Sequence, residues 1–344
     1  MSLRPVDNPP NPFSAETLEY LDDLPPEARL AKLEIYEDHT RQIVAENDSP
    51  DLGFRYSVNP YRGCWHACAY CYARPTHEYL GLGAGTDFDR KITVKPDASA
   101  LLRERFERRS WTGDLLMFSG VTDCYQPLEA SYRLTRACLE VCVEYRNPAA
   151  VITKSPLVER DAQLLAELGR VAASGVTVSI PLWNEAHARA LEPGVASPRR
   201  RIETIRRLAA AGVSVGVNVA PLIPGLGDED LVKVLEAASA AGATHAGLVM
   251  LRLPGSVRPV FLERLRRELP LRADKVVARI REVRGGGMND PRFGKRQRGE
   301  GPYAQAAEGL FDATVKRLGL NREPWSASAR TFHRPGERPQ LPLF

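Results

Sequence analysis

The segment GCWHACAYC, residues 63–71, holds three of the six cysteines of the chain. These three are Cys64, Cys68 and Cys71. Thiolates at this spacing on one loop can converge on a compact inorganic centre, and three of them leave a fourth metal position open. A zinc site completed by His66 or His77 and an iron–sulfur cluster both satisfy this pattern. Three buried cysteines without a ligand are the weaker interpretation of so close a spacing.

The overall composition indicates the kind of protein in which this centre lies. The chain has 344 residues, of which 43% are hydrophobic and 26% charged, which suits a globular protein of one large or two ordinary domains. No apolar run reaches about 18 residues, so we expect no membrane span. The N-terminal residues lack the apolar core of a secretory signal, so we expect a cytoplasmic protein. Because thiols stay reduced there, clustered cysteines indicate metal ligands or catalysts rather than disulfides.

Apolar strands alternate with amphipathic helices through the middle of the chain. The predicted strands begin near Arg55, Leu115, Ala149, Val176, Val213 and His245. The predicted helices cover about 98–109, 131–145, 161–173, 198–212, 228–242 and 261–268. This alternation predicts parallel βαβ units and an α/β fold, and six units predict a partial (β/α)6 TIM-type barrel. A Rossmann fold is the competitor, but no G-x-G-x-x-G follows the first strand.

Two extensions flank the predicted barrel. We expect an irregular or helical N-terminal extension over residues 1–50 and the barrel over 51–284. Residues 285–344 begin with a Gly/Arg-rich loop, continue into a helix near 304–318 and end in a Pro-rich tail.

The pattern C-x3-C-x-aromatic-C, on the loop after the first strand of a partial (β/α)6 barrel, resembles the radical SAM superfamily. The wider text resembles the branch related to spore photoproduct lyase, often labelled DNA repair photolyase, and the resemblance covers about residues 54–300. The segments that carry it are SVNPYRGCWHACAYCYARPTHEYLG (57–81), VTDCYQPLE (121–129), TKSPLVERD (153–161) and APLIPGL (220–226).

The resemblance implies a cofactor set and a reaction type. The three cysteines would hold a [4Fe-4S] cluster whose fourth iron binds S-adenosylmethionine (SAM). An electron from a flavodoxin- or ferredoxin-type donor would cleave SAM to a 5′-deoxyadenosyl radical, which abstracts hydrogen from a substrate. The substrate is not named by the sequence, and a nucleobase is one candidate. The alternative is a zinc or iron–sulfur protein with a structural or binding role and no turnover.

Because barrel sites lie at the carboxyl ends of the strands, polar residues at those ends are candidate cofactor contacts. The second strand ends in SGVTD, where the superfamily carries a Gly-Gly-Glu stretch that contacts the SAM amino group. The resemblance therefore assigns SAM contacts to Gly120, Thr122 and Asp123, although Asp123 as a simple turn cap is the alternative. Gln126 and Glu129 are candidates for facing the same cavity.

Later strand ends supply further candidates. We expect Lys154 to pair with the SAM carboxylate, and Glu192 to hold a ribose hydroxyl or the amino group. Asn218 and Ile223 resemble the adenine-contacting segment of the superfamily, and Tyr70 joins them as an aromatic cofactor contact. Surface, loop and turn roles are the alternatives. His66 and His77 are candidate hydrogen-bond donors to the cluster sulfurs.

The remaining cysteines have separate interpretations. Cys124 adjoins Asp123 and is a candidate hydrogen-atom donor, the role that a cysteine has in spore photoproduct lyase, or else a small buried residue. Cys138 and Cys142 share an apolar helix face, which favours core packing.

Five basic residues lie in the Gly/Arg-rich loop or directly before it. They are Arg284, Arg292, Lys295, Arg296 and Arg298. One interpretation is that they contact nucleic-acid phosphates. The competing one is a lid over the barrel mouth whose arginines pair with Asp290 and Glu300 or with a small anionic substrate.

Overall fold

The computed structural model describes residues 32–323 and 329–336. Most of the predicted N-terminal extension and the end of the Pro-rich tail therefore lie outside the described residues. No helix of the described part combines the length and the apolar character needed to cross a bilayer.

The described part of the chain contains ten short strands and eleven α-helices. The strands are β1 (Glu34–Glu37), β2 (Val44–Glu46), β3 (Tyr56–Val58), β4 (Tyr61–Arg62), β5 (Lys91–Val94), β6 (Leu116–Phe118), β7 (Ala149–Thr153), β8 (Ser174–Ser179), β9 (Ser214–Leu222) and β10 (His245–Met250). The helices are α1 (Thr86–Arg90), α2 (Ala98–Glu107), α3 (Glu129–Tyr132), α4 (Leu134–Glu144), α5 (Ala162–Val171), α6 (Glu185–Leu191), α7 (Pro198–Ala210), α8 (Leu231–Ala240), α9 (Val257–Glu268), α10 (Pro270–Val283) and α11 (Gly301–Leu318). These bounds cover the described residues, and short 3-10 turns precede or join several of the helices.

The main sheet has seven strands in the order β10-β9-β8-β7-β6-β3-β2. Six of them, β3 and β6 to β10, pair in parallel and follow one another in chain order, while β2 is antiparallel at one edge. This confirms the predicted α/β fold with six parallel strands. A strand order without reversal excludes the Rossmann arrangement, and right-handed crossovers then put the connecting helices on one side of the sheet.

The two faces of the sheet differ in composition. The face toward the helices carries buried valines, such as Val176 and Val178 on β8 and Val217 on β9, which pack into the main core. Successive strand residues point to opposite faces, so Thr177 and Asn218 lie on the other side, which we call the inner face. Both are only half-buried. Because helices cover only one side, the inner face can carry small and polar residues around a ligand.

A second, three-stranded sheet in the order β1-β5-β4 lies beside the first. The expectation of irregular or helical chain before residue 50 is wrong for its described part, because β1 pairs with β5 and β2 with β3. These strands are short and largely exposed, so their sequences carry little apolar alternation. A helix not predicted from sequence, α10, starts at Pro270 after a single residue that separates it from α9.

Candidate metal centre

The cysteine loop leaves β4 at Gly63, where only glycine fits. Its φ is +77°, and a Cβ there would lie 2.9 Å from both His77 Cε1 and the Phe88 carbonyl oxygen. The next peptide N–H, that of Cys64, donates to the same Phe88 carbonyl at 3.0 Å. The absence of a side chain therefore lets the loop lie flat against the segment that precedes β5.

A buried arginine, Arg74, fixes the middle of the loop. Its guanidinium donates to the Cys68 carbonyl oxygen from Nε at 3.0 Å and from Nη2 at 2.9 Å. It also donates to the carbonyls of Ala84 at 2.8 Å and Gly85 at 3.0 Å, and to Asp89 Oδ1 at 2.9 Å. Arg74 was not among the residues predicted from the sequence. Its only signal in the sequence is its position, three residues after the last cysteine of the motif.

Gln126 fixes the start of the loop. Its Oε1 accepts from the Trp65 N–H at 3.0 Å, and its Nε2 donates to the Gly63 carbonyl at 3.1 Å. These two peptide groups flank Cys64. The expectation that Gln126 faces a cavity is therefore replaced by a buried clamp on the backbone.

Glu129 likewise has a structural role. Its carboxylate is buried and accepts from the Tyr61 hydroxyl, from Arg160 Nη2 at 2.8 Å and from the Thr135 N–H at 3.0 Å. It joins β4 to the start of α4 and does not face an open cavity.

The three thiols of the motif are free, and burial raises the pKa of each. They therefore need a cationic centre to hold them as thiolates. Among the described residues, no three His, Cys, Asp or Glu groups are close enough to share one metal ion. An iron–sulfur cluster distributes its thiolates over several metal atoms, so three cysteines that do not meet at one point can still be its ligands.

The two histidines of the motif region have different environments. His66 Nδ1 lies 3.3 Å from Asp123 Oδ2, and both groups are largely buried. His77 Nε2 lies 2.8 Å from the Lys91 carbonyl, and burial lowers the pKa of His77 to about 4. His77 is therefore neutral and donates from Nε2. Their predicted hydrogen bonds to cluster sulfurs stay a prediction.

Asp123 joins the ends of β6 and β7. Its carboxylate accepts from the Thr153 hydroxyl at 2.7 Å, from the Lys154 N–H at 2.8 Å and from the Tyr125 N–H at 2.9 Å. Burial opposes ionisation, but His66 and these hydrogen bonds hold the pKa of Asp123 below its usual value. The turn cap anticipated as the alternative is thus present, and the contact with SAM stays a prediction.

Gly120 and Thr122 shape the loop after β6. A Cβ on Gly120 would lie 3.1 Å from Ser57 Oγ, so the chain passes close to β3. The Thr122 hydroxyl donates to the Tyr61 carbonyl at 3.0 Å, which turns it toward β4. The Gly120 carbonyl accepts from the Tyr72 hydroxyl at 2.7 Å, which links this loop to the cysteine loop.

Lys154 and Glu192 meet at the cysteine loop. Lys154 Nζ lies 5.8 Å from the centre of the Tyr70 ring. Glu192 is fully buried and accepts from the Tyr70 hydroxyl and, at 2.6 Å, from Arg201 Nη2. Burial opposes the charged form of Lys154, but Cys68 and Glu192 raise its pKa. Within the described chain, the Lys154 ammonium makes no hydrogen bond or ion pair, whereas both Glu192 oxygens are engaged.

The two residues predicted from β9 and its end differ in accessibility. The side chain of Asn218 is half-buried on the inner face, lies against Gly247 of β10 and has no hydrogen-bond partner in the described part of the chain. Ile223 is fully buried in an apolar cluster with Cys68 and Tyr70. Its side chain therefore supports the loop, and its contact with adenine stays a prediction.

The other cysteines lie in the main core. Cys138 and Cys142 are fully buried there, which confirms the core interpretation. Cys124 is 1% exposed in the same core, and burial raises its pKa well above the usual value. A role as hydrogen-atom donor stays a prediction.

The Gly/Arg-rich loop is internally paired, as the competing interpretation expects. Arg292 contacts Asp290 at 2.6 Å and Glu300 at 3.1 Å, and Lys295 also pairs with Glu300. The expectation that Arg284 contacts phosphates is wrong, because its side chain is buried. Its Nη2 donates to the carbonyls of Leu251 and Arg296, so this end of the guanidinium is not available to a phosphate group.

Comparison with known proteins identifies the family. The radical SAM superfamily model matches residues 58–238. An uncharacterized protein of Mycobacterium tuberculosis is 39% identical over 234 residues, which cover 67% of this chain and 68% of that protein. The radical SAM Nalpha-GlyT isomerase of Pseudomonas phage M6 is 25% identical over 288 residues, 83% of this chain and 56% of the isomerase. The structure of spore photoproduct lyase complexed with dinucleoside spore photoproduct has a TM-score of 0.58 at 18% identity, covering 83% of this chain and 80% of that one.

The likeness to spore photoproduct lyase is one of fold, because the identity is low. The family model, by contrast, spans more than half of the chain and includes the whole cysteine loop. This confirms the predicted enzyme class and, at the level of the family, SAM and an iron–sulfur cluster as its cofactors. The protein belongs to the radical SAM superfamily.

Proposed function

We propose that Cys64, Cys68 and Cys71 hold a [4Fe-4S] cluster, and that the enzyme uses SAM to abstract hydrogen from a nucleoside-type substrate. The observation that carries this proposal is the cysteine loop itself. Its three thiols share one short segment that Arg74 and Gln126 fix by hydrogen bonds to the backbone. Such a framework supports one defined geometry of the three sulfurs, which a cluster with a free coordination position requires.

When bound, the cluster and SAM supply a 5′-deoxyadenosyl radical for hydrogen abstraction. The residues of this chain contribute position and the exclusion of water. Cys64 and Cys68 are 6% and 7% exposed, so the centre they form is shielded from solvent. The buried pair of His66 and Asp123 lies beside the loop and holds the end of β6 against the end of β7.

SAM would bind between the cysteine loop and the inner face. Lys154 and Asn218 have the free polar groups for this, an ammonium for the SAM carboxylate and an amide for the adenine or ribose. Asp123 and Glu192 already accept hydrogen bonds from protein groups, but a carboxylate oxygen can accept more than one. We therefore retain Asp123 for the SAM amino group and Glu192 for a ribose hydroxyl, with Gly120, Thr122, Tyr70 and Ile223 forming the walls.

The Lys154→Met variant should bind SAM about 10- to 150-fold more weakly, because one hydrogen bond to a charged group is lost. Iron content should stay at the level of the unmodified protein. Isothermal calorimetry of cluster-loaded protein measures the affinity, and Lys316→Met, at an exposed position on α11, serves as the matched control. Equal SAM affinity in the two variants would show that Lys154 does not contact the ligand.

A nucleoside-type substrate is supported by one neighbour in fold. Spore photoproduct lyase, which shares the fold, was solved in complex with a dinucleoside spore photoproduct. The half-buried inner face, with Thr177 and Asn218, offers polar groups suited to a base. The Gly/Arg-rich loop does not contribute to this proposal, because its cations are paired within the chain.

The reductant would be a flavodoxin- or ferredoxin-type protein, because the proposed cluster has to receive one electron before it can cleave SAM. All six cysteines are free in the structure, which supports the proposed cytoplasmic location, where thiols stay reduced.

Anaerobic incubation with SAM, dithionite and a panel of nucleosides and oligonucleotides tests the function. We expect 5′-deoxyadenosine and an altered nucleoside, both detected by mass spectrometry. A cluster-loaded protein that binds SAM but releases no 5′-deoxyadenosine with any of these substrates would contradict the proposal.

A further inference from the structure

The loop that follows β10 carries an arginine that has no hydrogen-bond or ion-pair partner among the described residues. Arg252 is half-buried, and its Nε is fully buried with no hydrogen-bond acceptor. Its guanidinium forms no hydrogen bond or ion pair with any residue that the structure describes. Leu251 and Leu253 on either side are buried in the apolar cluster of the cysteine loop, so the backbone at Arg252 is firmly held.

The groups around Arg252 do not neutralise it. Asp51 is close enough to attract it, but that carboxylate pairs with Arg296 and accepts from the Gly294 N–H at 2.7 Å. Burial lowers the pKa of Arg252, and the positive charge of Arg296 acts in the same direction. A half-buried cation in these surroundings costs free energy unless an anion compensates it. The neighbouring cations Arg292 and Lys295, by contrast, have carboxylate partners.

The position of Arg252 links it to the proposed site. Its neighbours Leu251 and Leu253 pack in one apolar cluster with Cys68 and Tyr70 of the cysteine loop, and Tyr72 follows Cys71 directly. The Tyr72 hydroxyl in turn donates to the Gly120 carbonyl at the end of β6. Arg252 therefore lies at the same edge of the sheet as the cysteine loop, where the substrate would approach.

We infer that Arg252 binds a phosphate group of the substrate. The inference rests on the proposed function, because phosphate is the anionic group that a nucleoside carries when it is part of a nucleotide or a polynucleotide. A guanidinium suits this group because its planar fork can donate two parallel hydrogen bonds to phosphate oxygens. The phosphate is either the internal phosphodiester of a polynucleotide or the terminal phosphate of a mononucleotide, and the two call for different probes.

Binding to the cluster-loaded, SAM-bound enzyme tests the inference with three sets of probes. These are the four nucleosides, the four nucleoside 5′-monophosphates, and dinucleotides with one internal phosphodiester and no terminal phosphate. Arg252→Ala should weaken binding of the phosphate-bearing set that the enzyme accepts by about 10- to 100-fold. The nucleosides should bind both proteins equally, and Arg252→Lys should retain part of the affinity because it keeps the charge but not the fork.

Arg258→Ala, at an exposed arginine of α9, is the matched control and should bind every probe like the unmodified enzyme. Iron content and SAM affinity of Arg252→Ala should also be unchanged, which distinguishes a lost contact from a misfolded chain. Equal phosphate affinity in Arg252→Ala and the unmodified enzyme overturns the inference. Failure of the unmodified enzyme to bind either phosphate-bearing set overturns it as well, whereas the proposed function stands or falls separately on release of 5′-deoxyadenosine.

Discussion

Replacing Cys64, Cys68 or Cys71 by alanine should remove the iron–sulfur cluster and reduce SAM cleavage to background. Two thiolates do not hold a four-iron cluster that already has one iron without a protein ligand. After anaerobic reconstitution, the unmodified protein should contain about four irons per chain and each variant less than about one. Iron analysis and the visible absorption of the cluster measure the effect.

Cys142→Ala is the matched control for this experiment. Cys142 is a fully buried cysteine of the main core, so the variant should lose some stability through the cavity it creates but keep its iron. A full complement of cluster iron in the triple variant at positions 64, 68 and 71 would contradict the assignment of the ligands.

Arg74→Ala should lower the free energy of unfolding by about 3–5 kcal/mol and weaken cluster retention. The substitution leaves the buried carboxylate of Asp89 without its partner, and such breaks of buried ion pairs cost about this much. It also leaves the Cys68 carbonyl without the two hydrogen bonds that fix the loop. Urea unfolding measures the stability, and the rate of iron release to a chelator measures the retention.

Two further variants separate the causes. Arg74→Ala combined with Asp89→Asn should recover part of the stability, because the unpaired charge is removed, but not the cluster retention. Arg109→Ala, at an exposed position, should unfold like the unmodified protein. If Arg74→Ala unfolds within about 0.5 kcal/mol of the Arg109 control, the guanidinium is not needed to hold the loop.

Together these variants distinguish two layers of the centre. We expect the thiols to determine whether the cluster binds at all, and Arg74 and Gln126 to determine how firmly the peptide that carries the thiols is held. The second layer matters for chemistry because a reacting group displaced by about 1 Å loses rate even when every ligand is present.

The fold class and the family were within reach of the sequence because their signals are local. The apolar runs of β7, β8 and β9 and the helices between them repeat at a spacing that predicts parallel βαβ units. The three cysteines lie within eight residues, so their common role needs no knowledge of the rest of the chain. Short, exposed strands such as β1 and β2 carried no such periodicity, and these were missed.

Only the tertiary structure decided which polar side chains are used in hydrogen bonds within the described protein and which are left for a ligand. Glu129 and Arg284 follow the sequence rules for site residues, yet their partners come from distant segments and occupy them. Lys154 and Arg252 look no different in the sequence, but the fold brings neither of them a hydrogen-bond or ion-pair partner among the described residues. The physical reason is that a buried charge is governed by what surrounds it in space. Spacing along the chain therefore indicated the candidate metal ligands of this protein, whereas long-range pairing determined which of its cations have no hydrogen-bond partner among the described residues.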